Sequence, residues 1–94
     1  MADPLAWEMA LTRAELLRLL PVAVDGAPFR IDGDEIVSEG GTPAWRIRLE
    51  DRPPRAFGPV GIPVLAVTLE VDADGAARDA FVARFLLGYQ RAGG

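Results

Sequence analysis

The sequence predicts an α+β domain: a sheet of about four mostly antiparallel strands, with an N-terminal and a C-terminal helix packed on one face (α-β-β-β-β-α order). Three observations point there. An S/T-x-x-E box opens an apolar segment at Thr12, central segments alternate apolar and charged residues, and an i, i+4, i+8 apolar stripe runs through residues 76–90. Short turn-like connections favour antiparallel meanders over β-α-β units.

The elements follow in order. Residues 1–10 read as a short leader in which Trp7 and Met9 are apolar enough to dock. Thr12 and Glu15 each have a side chain that can satisfy the other's backbone N–H, and Leu11 and Leu16 occupy the flanking apolar positions. The helix is expected to end at Leu20, because Pro21 follows. Residues 27–31 and 35–39 read as two strands joined by Asp32-Gly33-Asp34, and Gly40-Gly41-Thr42-Pro43 as a second turn. In residues 45–50, Trp45, Ile47 and Leu49 alternate with Arg46, Arg48 and Glu50, the pattern of a half-buried strand. Pro53-Pro54 makes residues 51–55 a loop or an irregular edge. Residues 62–71 form the strongest strand, with Pro63 marking an edge or a bulge. Asp72 or Asp74 caps the second helix, which runs from about Ala76 to Gln90 and leaves residues 91–94 as a tail. The whole of 1–94 is expected to be a single small domain.

Composition narrows the chemistry. The 94 residues include no His, Lys, Asn or Cys, and all ten basic residues are Arg. Thiolate metal sites and disulfides are therefore excluded, and so is any side-chain imidazole, thiol or amine as base or nucleophile. A net charge of −4 argues against a general nucleic-acid binder. Apolar runs are too short and too interrupted for a membrane span. The N-terminus has no basic region before a long apolar run, so no secretory signal is read and a soluble cytoplasmic domain is expected. No cofactor and no metal are expected. The acidic turns at residues 32–35 and 72–75 lack the ligand spacing of a calcium loop and read as turns and caps.

The candidate site is a surface rather than a reactive centre. Helices on one sheet face leave the other to Arg30, Arg46, Arg48, Glu50, Thr68 and Glu70. Arg46 and Arg48 share one side of a strand, Arg52 and Arg55 flank the double proline, and Phe57 stands in a proline-rich segment. Guanidinium forks can grip carboxylates or phosphates, although cross-strand pairing with Glu39, Glu50 and Glu70 competes for them. The expected function is a small interaction or accessory protein. Its partner would be another protein or a second copy of the chain, with Phe57 as apolar anchor and Arg46, Arg48, Arg52 and Arg55 orienting the partner. The alternative is a small-molecule or anion binder using the same arginines, and an enzyme would have to run on carboxylates. The ending Arg91-Ala92-Gly93-Gly94 resembles that of ubiquitin-like sulfur carriers and modifiers, which implies a carrier role as a minor alternative. The order of elements differs from theirs, and a helix C-cap also explains the two glycines.

Overall fold

The computed structural model describes the backbone of residues 3–93 and the side chains of residues 3–90. The elements are β1 (Leu5–Met9), α1 (Arg13–Ala23), β2 (Phe29–Asp32), β3 (Glu35–Ser38), β4 (Trp45–Phe57), β5 (Val60–Val71) and α2 (Gly75–Gly93). All strands join one sheet in the order β1-β5-β4-β3-β2, and every neighbouring pair is antiparallel. This is the α+β fold with the two helices packed on a single core.

Four segments differ from the sequence expectation or decide between its alternatives. The supposed leader is a fifth strand: Leu5, Trp7 and Met9 alternate with Ala6 and Glu8, and β1 pairs with β5 from Leu5↔Leu69 to Met9↔Leu65. The first helix does not stop at Pro21 but runs to Ala23. Pro21 lacks only one N–H, and the last turn still closes through Val24 N–H to the Leu20 carbonyl at 3.0 Å. Burial of Leu20 and Ala23 offsets the lost bond. Of the loop or irregular edge expected around Pro53-Pro54, the structure has the irregular edge: the segment is part of β4, as described below. The second helix continues past Gln90 to Gly93, and Gly94, the end of the supposed tail, lies outside the described residues.

The capping box at α1 forms as its residues require. Glu15 N–H donates to Thr12 Oγ1 at 3.1 Å, and Thr12 N–H donates to Glu15 Oε1 at 2.9 Å. The Thr12 backbone and hydroxyl hold the Glu15 carboxyl below its usual pKa.

The core fills the space between the helices and the inner sheet face. Ile36, Ile47, Leu65, Val67, Leu69, Leu16, Leu20 and Phe85 are fully buried. Phe85 meets Tyr89 edge-on with ring centroids 5.0 Å apart, and Trp7 lies 6.0 Å from Phe85. The Tyr89 hydroxyl donates to the Leu16 carbonyl at 3.1 Å, so this buried phenol is satisfied, and burial pushes its pKa well above the ordinary value. The helices approach closely at Gly88, where a Cβ would stand 2.8 Å from the Ala23 Cα.

Candidate functional site

The strand alternation sorts the arginines. Trp45, Ile47 and Leu49 point into the core, so Arg46, Arg48 and Glu50 point outward. Pairing register extends that outer face across the sheet: Arg46 lies opposite Glu70 and Val37, Arg48 opposite Thr68 and Glu35, Glu50 opposite Ala66. Ala6 and Glu8 of β1 lie beside Thr68 and Ala66 on the same face. Arg30 belongs there too, opposite Val37.

Beyond Leu49 the sheet narrows. The β3–β4 ladder ends at Glu35↔Arg48, and β1 ends opposite Leu65. Residues 51–57 and 60–64 therefore continue as a two-stranded arm with no third strand, closed by the turn at Gly58-Pro59. Gly58 has φ +58 at the first central position, where a two-residue hairpin turn requires glycine. Every residue from Glu50 to Gly61 is exposed. The arm accounts for the long shape, 44 × 26 × 23 Å, and for a radius of gyration of 13.6 Å. A compact chain of this length would have about 12 Å.

The double proline is accommodated by a bulge. Arg52 pairs with Val64 and Arg55 with Ile62, so Pro53 and Pro54 together face the single Pro63. One extra residue on one strand resets its alternation. Arg55, three residues after Arg52, would otherwise point to the opposite face; the bulge returns it to the side of Arg52. Phe57, opposite Val60, follows on the same side. The prolines stand where ladder hydrogen bonds to a third strand are absent, and they blunt both free edges against further strand addition.

The structure thus brings Arg46, Arg48, Arg52, Arg55 and Phe57 onto one face, in a single row along β4. Beside them on β5 runs a second row, Val60, Ile62, Val64, Ala66 and Thr68, of which only Thr68 was expected on the open face. Its alternation and its uncovered face were legible in the sequence, but its extension through Ile62 and Val60 along a bare arm was not.

Most of the arginines are engaged within the chain. Arg48 Nη2 lies 3.3 Å from Glu35 Oε2. Arg55 Nη2 lies 3.3 Å from Glu8 Oε1, and Arg52 contacts Glu8 at 3.9 Å and Glu50 at 3.6 Å. Glu8 sits in the segment read as a leader, which is why it was missed. Arg30 lies 3.9 Å from Glu39. Among the described residues, Arg46 alone on this face has no carboxylate within ion-pair distance. The pairs are solvent-exposed and stabilise little. Their effect is on charge: five arginines share the face with Glu8, Asp32, Glu35, Glu39, Glu50 and Glu70, so it is almost neutral.

Elsewhere, a groove of about 630 Å³ separates α2 from the Gly40–Pro43 turn, with Trp45 and Phe81 among its lining. None of the outer-face arginines reaches it. The acidic turn at residues 32–35 is engaged, since Asp34 pairs with Arg13 at 2.9 Å and Glu35 with Arg48. Among the described residues no three His, Cys, Asp or Glu side chains converge to hold a metal, and no helix is long and apolar enough to cross a membrane. No protein-family model, curated protein or solved structure matches this chain.

Proposed function

We propose that the chain is a small protein-interaction module whose contact surface is the outer face of the β4–β5 arm and the arginine-bearing sheet behind it. One observation carries the reading: Phe57 and Val60 remain 62% and 57% exposed at the end of a ribbon with no third strand. An isolated two-stranded ribbon is marginal in water, and apolar side chains on it lose contact with solvent only when a partner covers them. Covering them fully would contribute about 1.5–3 kcal/mol for each large side chain. The turn and prolines restrict the arm in advance, so ordering it on binding costs little. Arg52, Arg55 and Glu8 form a polar rim beside the apolar row, the usual anatomy of a contact surface.

The near-neutral charge directs the reading toward a partner with mixed charge. A polyanion would find each guanidinium of this face except that of Arg46 already beside a carboxylate. The test is affinity capture from the native host with wild-type bait and with a bait carrying Phe57→Asp and Val60→Asp, both checked for folding by circular dichroism. A protein held by wild type and lost by the variant supports the reading. Identical capture by both baits refutes it.

A further inference from the structure

The outer face has a symmetry in its chemistry that names a partner. Along β5 its positions run Val60, Ile62, Val64, Ala66, Thr68, Glu70, and along β4 Phe57, Arg55, Arg52, Glu50, Arg48, Arg46 in the same order. The span is about 33 Å, and the point between Val64 and Ala66 divides it equally. On one side lies the bare arm, about 17 Å long, and on the other the broad part of the sheet, also about 17 Å. A two-fold axis through that point, lying between two facing sheets and across the strands, places the arm of each copy over the broad part of the other.

We propose that the partner of this face is a second copy of the chain, packed outer face to outer face with strands antiparallel; this rests on the interaction reading above. The two-fold operation sets β5 over β5 and β4 over β4. Ile62 and Val64 then lie over Thr68 and Ala66 of the second copy. Arg52 lies over Glu50 of the second copy, and the reciprocal contact doubles this opposite-charge pair. Arg55 meets Arg48 of the second copy, but each already has a carboxylate beside it, Glu8 and Glu35 respectively. Phe57 comes over Arg46 of the second copy. These are the exposed aromatic ring of the arm and the guanidinium without a carboxylate partner, and a guanidinium over a ring is favourable. Beside Arg46 a cleft of about 310 Å³, lined by Val37, Ser38, Trp45, Glu70 and Asp72, has room for the ring.

Within the footprint the central Arg52 and Glu50 complement each other across the two-fold, and Glu8 and Glu35 at its flanks offset the charge of Arg55 and Arg48, whereas a strongly charged partner would meet its own sign as well as the opposite one. The prolines disfavour one other route to a dimer, strand addition at the arm's edges. The footprint, about 33 Å by about 10 Å, is small beside stable interfaces, so the dimer is reversible and concentration-dependent.

The test uses the full chain in sedimentation velocity over a concentration series, with Arg52→Glu, with Glu50→Arg, and with the two variants mixed. Wild type is expected to shift from 10.1 kDa toward twice that mass as concentration rises. Each single variant is expected to weaken self-association on the order of tenfold or more, because it places like charges opposite each other twice. The equimolar mixture is expected to restore the dimer: Glu at 52 of one chain then faces Arg at 50 of the other, while the pairs within each chain stay broken. Restoration therefore separates the interface from any structural role of the Arg52–Glu50 pair. Far-UV circular dichroism checks that each variant is folded. A wild type that stays monomeric to millimolar concentration overturns the proposal, as does a dimer that neither variant weakens, or a mixture that does not recover. In those cases the broader reading stands only if the captured protein differs from this chain and is lost with the Phe57 and Val60 substitutions.

Discussion

The same two strands behave as two different materials along their length. From Trp45 to Leu49 and from Leu65 to Val71, β4 and β5 lie mid-sheet with helices beneath, and alternate residues are buried. From Asp51 to Phe57 and from Val60 to Val64 each strand has only the other as ladder partner. Both regions are extended and both carry Val, Ile and aromatic residues. The difference lies in neighbours: β1 and β3 end, only exposed ion pairs from Arg13 to Asp51 and from Glu8 to Arg52 and Arg55 reach the arm, and identical local structure loses most of its support. Strand propensity is thus insufficient to make a stable sheet, and a protein that keeps such an arm presents a surface.

Amide hydrogen exchange should show this contrast most strongly. At concentrations where the chain is monomeric, amides of residues 65–71 should be protected up to the global stability, on the order of 5 kcal/mol or more. Amides of residues 55–62 should open locally at a cost near 1 kcal/mol or less. Equal protection would show that the arm is supported within one chain. Protection of the arm that rises with concentration would instead mark its burial in the dimer.

Two aromatic truncations sharpen the comparison. Phe85→Ala empties a fully buried site in the body and should cost about 3–5 kcal/mol in urea unfolding. Phe57→Ala, on the arm, should affect the monomer least of all. Gly88→Ala probes how tightly the body is closed. Alanine normally improves a helix by about 1 kcal/mol, but here the added Cβ meets the Ala23 backbone at 2.8 Å. Forcing the helices apart should give a net loss of about 1–3 kcal/mol. A stabilised variant would show that α1 and α2 are free to separate.

The capping box gives a smaller, pH-dependent effect. The Glu15 carboxyl is held below its ordinary 4.5 by the Thr12 backbone and hydroxyl, so the folded state favours its charged form. That contribution is present above the unfolded pKa and disappears as pH falls through the lower folded value. The stability gap between wild type and Glu15→Ala should therefore be constant at neutral pH and narrow as pH drops below about 4.5. A gap that widens toward acid would assign the wrong sign to the cap. Smallest of all, Phe57→Ala should change monomer stability by no more than about 0.5 kcal/mol while weakening association. A loss like that of Phe85→Ala would mean the ring is packed within its own chain.

Much of the fold was legible locally. Alternation of Trp45, Ile47 and Leu49 with Arg46 and Arg48 decided which side of the sheet each occupies, because strand geometry has a period of two wherever the strand lies. Thr12 and Glu15 marked the start of α1 because a capping box closes within one turn. The Leu5–Met9 alternation was also present, but five residues at a chain end say nothing of whether a partner strand exists. That depends on the edge of β5, some sixty residues away in sequence. Pro53-Pro54 read as a loop or an irregular edge because proline removes a ladder donor. Only the ending of β3 opposite Arg48, which leaves that edge without a ladder, let the strand continue through them. The bulge opposite Pro63 then decided that Arg55 and Phe57 share a face with Arg46, Arg48 and Arg52. Residue identities thus determined which side chains this surface would carry. Tertiary pairing decided that they form one row, because register counts residues on both strands at once.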